Sequence, residues 1–120
     1  MEPLIIRETH QTPEINLNGD AGTFSFSAKS YPENVMSFYK PVFDYIEIYK
    51  TTPSVKTTLE FNWVYFNTGT SKVIVRLILA LQNCPGFEVK WYCQGEIDVM
   101  KEKGEEIRDM LEINLTIIEV

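Results

Sequence analysis

Apolar and polar positions alternate with a period of two in Glu14-Ile15-Asn16-Leu17-Asn18 and again in Thr23-Phe24-Ser25-Phe26-Ser27. Such alternation places every second side chain on one face, as a half-buried strand requires. Gly19-Asp20-Ala21-Gly22 between the two runs supplies turn residues, so the pair predicts a β-hairpin. Leu4 to Arg7 adds a further short strand. The period then changes. Val35, Phe38, Val42, Ile46 and Tyr49 recur at spacings of three and four, which is one face of a helix. Ser30-Tyr31-Pro32-Glu33 ahead of them reads as a capping box with proline in the first turn. Pro41 lies inside the pattern and predicts a kink or a division of the helix in two.

Thr57 to Phe66 is dense in β-branched and aromatic residues and predicts a strong strand. Leu59, Phe61, Trp63 and Tyr65 share one side, and Val64 and Phe66 occupy the other. Apolar residues on both sides predict a central strand covered on two faces. Thr68-Gly69-Thr70-Ser71 ends it with hydroxyls that suit a helix cap. The next helix buries Val73, Leu77, Ile78 and Leu81, and Pro85-Gly86 stops it. Phe87 to Cys93 is a strand. Asp98 to Met110 is a charged helix with Val99, Met100, Ile107 and Met110 available to pack. Glu112 to Val120 closes the chain as a strand with Ile113, Leu115 and Ile117 on one side. The order predicts an α/β (α+β) fold: a single mixed β-sheet covered by helices, with an N-terminal hairpin, in one domain over residues 1–120.

Composition narrows the function classes. The net charge of -6 argues against nucleic acid and anionic membrane as partners, because both call for positive surface. Cys84 and Cys93 are too far apart for a CxxC element, and the lone His10 does not complete a Cys/His metal set. They read as reduced thiols. Met1 to Glu8 lacks the apolar run of a signal peptide, and Val73 to Leu81, interrupted by Arg76, is too short to span a bilayer. The expected location is the cytoplasm.

Catalytic chemistry finds little support. His10 has no nucleophile and acid at a recognisable spacing, and neither a P-loop nor a GxGxxG is present. Glu96, Asp98, Glu102, Glu105, Glu106 and Asp109 form an acidic run in which Glu102 and Glu106 are one helical turn apart, a conceivable metal pair. Lys101, Lys103 and Arg108 intersperse them, which fits a solvated helix face with ion pairs. The reading is no catalytic residue, no metal and no cofactor. Asn67-Thr68-Gly69-Thr70-Ser71-Lys72 remains, with two readings. One is a strand-to-helix turn rich in caps. The other is a phosphoacceptor, because a hydroxyl at the rim of a sheet is accessible and a phosphate beside a helix N-terminus is electrostatically favoured.

Three blocks in this order are similar to the SiaC family of regulatory phosphoproteins: Gln11-Thr12-Pro13-Glu14-Ile15, Ser30-Tyr31-Pro32-Glu33-Asn34 and Tyr65-Phe66-Asn67-Thr68 with Ser71-Lys72. Trp91-Tyr92 and the Asp98 to Glu105 segment with Gly104-Glu105 also resemble it, so the likeness covers nearly the whole chain. The resemblance implies a non-enzymatic switch protein. A cognate serine/threonine kinase phosphorylates the threonine of the Asn-Thr motif, here Thr68, and a PP2C-type phosphatase removes the phosphate. The unphosphorylated form binds and activates a diguanylate cyclase and so raises cyclic-di-GMP. It further implies an interaction surface of Asn67, Gly69, Thr70, Ser71, Lys72, Tyr31, Pro32, Glu33 and Asn34, and a fold like that of the anti-sigma factor antagonists (STAS-like). An anti-sigma factor antagonist that binds a serine/threonine kinase anti-sigma factor is the alternative, with the same acceptor. The family motif continues Asn-Thr-Ser-Ser, whereas this chain has Gly69-Thr70.

Overall fold

The computed structural model describes residues 1–95 and 98–120. Six strands and three helices follow one another: β1 (Leu4–Ile6), β2 (Glu14–Asn18), β3 (Thr23–Ser30), α1 (Val35–Tyr49), β4 (Thr58–Phe66), α2 (Thr68–Leu81), β5 (Glu88–Cys93), α3 (Val99–Leu111) and β6 (Leu115–Glu119). The strands lie in one sheet in sequence order. β1, β2 and β3 pair antiparallel, and β3 to β6 pair parallel. The mixed sheet, the hairpin and the alternation of strands with helices are therefore as the sequence predicts.

The covering of the sheet is not. Each of the three parallel connections steps one strand further in the same direction. Because such crossovers are right-handed, all three helices fall on one face. Burial follows that geometry. Phe24, Phe26, Leu59, Phe61, Val89 and Trp91 are fully or almost fully buried beneath the helices. The intervening Asn16, Asn62 and Thr116 are exposed on the other face. The central strand β4 is covered on one side, not two.

The apolar pattern at the end of β4 has another cause. Pairing with β3 runs in step from Thr23↔Thr58 to Ala28↔Trp63 and then skips to Lys29↔Tyr65, leaving Val64 as an extra residue on β4. Ala28 takes a left-handed backbone at the same point, with φ 74°. This β-bulge reverses the inward and outward phase beyond it. Phe66 turns into the core at 5% exposure, while Val64 and Tyr65 stay 65% and 48% exposed.

The helix ends also differ from the pattern. β3 continues through Ser30, so α1 starts only at Val35, with Asn34 as the N-cap accepting from the Ser37 amide at 3.1 Å. Ser30 and Glu33 form no capping box, and Pro32 lies before the helix. α1 runs unbroken through Pro41, which is exposed, as is Ser37, whose carbonyl lies one turn back. Water can serve that carbonyl in place of the missing N–H. On α3, Met100, Gly104 and Ile107 face inward, and the expected Val99 and Met110 are exposed. A Cβ at Gly104 would sit 2.6 Å from Trp91 Cδ1, so the helix packs directly on the indole. The Trp91 Nε1–H donates to the Met100 carbonyl at 2.8 Å. No helix among the described residues is long and apolar enough to cross a membrane.

Candidate functional site

The bulge in β4 determines how the chain enters α2. With Phe66 turned inward, Asn67 becomes the N-cap in an extended conformation, and Thr68 is the first residue of the helix. Asn67 Oδ1 accepts from the Thr70 amide at 2.9 Å, and the Asn67 amide donates to the Ser30 carbonyl at 3.1 Å. The first helical amides have no partner inside the helix and point out of its end.

Thr68 and Thr70 occupy the same turn and differ completely. Thr70 is 0% exposed. Its hydroxyl donates to the Ser30 carbonyl at 3.0 Å and lies 2.8 Å from Ser30 Oγ, which in turn is 2.6 Å from Tyr39 OH. With one proton each, the hydroxyls close into a directed chain: Tyr39 donates to Ser30, Ser30 to Thr70, and Thr70 to the Ser30 carbonyl. Burial pushes the Tyr39 phenol up to about 12, against the lowering effect of its hydroxyl partners. Tyr39 therefore remains a donor, and the chain ties α1, β3 and α2 together. Thr68 is exposed, and its hydroxyl bonds to no described residue.

The other expected surface residues divide in the same way. Thr70 and Pro32 are buried, Thr70 within the hydroxyl chain and Pro32 between β3 and α1. Asn67, Gly69 and Ser71 are half-buried around Thr68, and Lys72 is exposed. Tyr31 joins them through space. Its ring meets Tyr65 edge-on at 5.8 Å between centroids, and His10 at 6.2 Å. Glu33 and Asn34 are exposed at the start of α1. The next residue, Val35, has its Cγ1 3.6 Å from the point where a Cβ at Gly69 would lie.

One member of the site, on the charged helix, was not marked as a site residue by the sequence, although it lies in the Asp98 to Glu105 segment. An open cavity of about 290 Å³ is lined by Tyr65, Phe66, Asn67, Thr68, Ser71 and Lys103. Lys103 arrives from α3 with its ammonium 5.2 Å from the centre of the Phe66 ring.

Among the described residues no three His, Cys, Asp or Glu side chains gather as for a metal ion, and Glu96 lies outside those residues. Asp98 caps α3, accepting from the Met100 amide at 3.0 Å and the Gln94 amide at 2.7 Å. Lys101 pairs with Glu119 and Arg108 with Asp109, each at 3.1 Å. Cys84 and Cys93 are free thiols, both pushed up chiefly by burial, and so are poor nucleophiles.

Known proteins resemble the chain over nearly its full extent. The family model described as SiaC family regulatory phosphoprotein matches residues 6–120. The crystal structure of apo-SiaC from Pseudomonas aeruginosa superposes with a TM-score of 0.85 at 25% identity, over 98% of this chain and 99% of that one. SiaC in the crystal structure of the diguanylate cyclase SiaD with its activator SiaC, also from Pseudomonas aeruginosa, gives a TM-score of 0.82 at 25% identity over the same shares. An uncharacterized protein of Pseudomonas aeruginosa (strain UCBPP-PA14) is 26% identical over 113 residues, 91% of this chain and 90% of that protein.

Proposed function

This chain belongs to the SiaC family of regulatory phosphoproteins, and from that premise we propose that it is a non-enzymatic cytoplasmic switch whose unphosphorylated form binds and activates a diguanylate cyclase. Phosphorylation of Thr68 by a cognate serine/threonine kinase releases the cyclase, and a PP2C-type phosphatase resets the switch. The complex of SiaD with its activator SiaC supports the kind of effector. The observation that carries the acceptor is the contrast within one turn: Thr68 is exposed and its hydroxyl has no partner among the described residues, whereas that of Thr70 is sealed in a buried chain.

The physics of the switch follows from the surroundings of Thr68. Tyr65, which lines the same cavity, and Tyr31 packed edge-on against it offer aromatic surface beside Thr68, the kind a partner covers. A phosphate there adds a charge of about -1.5 to -2 at pH 7. Burying that charge under a partner is strongly unfavourable unless the partner supplies cations. In the free protein the same charge is favoured by the amides at the start of α2. The modification thus stabilises the free form relative to the bound one.

Incubation with the kinase and ATP, followed by mass spectrometry, is expected to place the phosphate on Thr68; a phosphate located elsewhere sinks the assignment. Thr68→Ala is expected to keep the cyclase bound and Thr68→Asp to weaken it at least tenfold in a pull-down titration. Equal affinity of the two variants argues against a switch by charge.

A further inference from the structure

We infer that Lys103 on α3 receives the phosphate carried by Thr68, so that α3 takes part in reading the modification. The inference rests on the proposed acceptor and extends it to a residue 35 positions away, outside the Asn67-Thr68 motif. Lys103 and Thr68 line the same open cavity, together with Ser71 and Asn67 from the start of α2. The Lys103 ammonium lies over the Phe66 ring, and none of the ion pairs among the described residues involves it. A cation over a ring is held only weakly where water reaches it. A phosphate offers a stronger and more directional partner, with three acceptor oxygens. Lys72 is exposed one turn along α2 and does not line the cavity, which leaves Lys103 as the cation within it.

The exchange has structural consequences. The ammonium leaves Phe66, the residue turned inward by the bulge, and forms a bridge from α3 to the first turn of α2. Gly104, next along α3, packs directly on Trp91, so the backbone that carries Lys103 is anchored. The receiving cation is therefore held near the acceptor before the phosphate arrives.

Phosphothreonine installed at position 68 during translation tests this without the kinase. The phosphate is titrated by phosphorus NMR in the full-length protein and compared in Lys103→Gln and Lys103→Arg backgrounds. Glu102, Glu105 and Glu106 on α3 and Lys72 on α2 are common to all three and cancel in the comparison. The second ionisation, near pH 6 for a phosphothreonine, is expected to move up by about half a unit or more in Lys103→Gln and to return in Lys103→Arg. Identical titrations in all three overturn the role of Lys103. They leave Thr68 standing as acceptor if the kinase still labels it. A Lys103-dependent titration together with no kinase labelling of Thr68 has the opposite meaning: the contact is real and the proposed switch is not.

Discussion

The two ends of the parallel half of the sheet are built for different work. At the end where β4 and β5 begin, a set of polar groups holds the structure together. The Thr58 amide donates to the Gly22 carbonyl at 2.7 Å, the Thr57 amide to Pro85 at 3.0 Å, and the Glu88 amide to Thr57 at 3.0 Å. Tyr49 OH lies 2.6 Å from Thr57 Oγ1 and accepts from the Ser54 amide at 3.1 Å. Ser54 Oγ donates to the Gly19 carbonyl at 2.8 Å, and the Gly19 amide donates to Tyr45 OH at 2.9 Å. At the end where β3 and β4 finish, the tying is done one layer down, by Ser30, Tyr39 and Thr70. Above that layer Val64, Tyr65 and the Thr68 hydroxyl are left over. The carboxyl ends of parallel strands are where helices begin and present unpaired amides, so an end that leaves groups free there is the one open to ligands and modification.

The largest expected effect breaks the closed end. Gly22 has φ +71°, and a Cβ there would collide with the Lys56 carbonyl. Gly22→Ala combines an unfavourable backbone with a backbone clash and is expected to lower Tm by roughly 10 °C or more. A Tm within about 2 °C of the parent would show that this end is not rigid. A smaller effect sharpens the contrast within α2. Thr70→Val strands the Ser30 hydroxyl without its acceptor and is expected to cost about 1–3 kcal/mol in urea unfolding. Thr68→Ala is expected to stay within about 0.5 kcal/mol of the parent. Equal losses would erase the distinction between the buried and the exposed threonine.

Next comes a pH effect at the closed end. The Lys56 ammonium, 3.1 Å from Glu88 and hydrogen-bonded to it, holds that carboxyl below its usual 4.5. A depressed carboxyl contributes stability above its unfolded value, and the contribution disappears as the pH falls through the folded one. Lys56→Met is therefore expected to flatten the loss of stability on acidification below about pH 4.5. Urea midpoints between pH 3 and 6, roughly spanning ordinary carboxylate titration, provide the measurement; an unchanged slope removes the pair from the account. The smallest stability change belongs to Gly69→Ser in the first turn of α2. A Cβ there meets Val35 Cγ1 and Asn67 Oδ1 at 3.6 Å, ordinary contact, so the variant is expected to fold with a gain of a few tenths of a kcal/mol, about the helix-propensity difference. A loss beyond about 1 kcal/mol would mean the first turn of α2 is tighter than its geometry.

Much of this was legible in the sequence because it is local. Period two in β2 and β3, spacings of three and four in α1 and α2, and the turn residues between them specify which side chains share a face. They also specify the element order, and so the mixed sheet. The junction from β4 into α2 was legible because a strand end and a helix start adjoin in the chain. The alternation Trp63-Val64-Tyr65-Phe66, by contrast, reads the same for a strand covered on both faces as for one carrying a bulge. Only pairing with β3 distinguishes the two. The single covered face depended on the direction of three successive crossovers, the burial of Thr70 on a carbonyl 40 residues earlier, and the place of Lys103 on how closely α3 packs on Trp91 through Gly104. A sequence pattern records which side chains share a face; which side of the sheet a helix covers, and what it meets there, is decided by contacts between segments far apart along the chain.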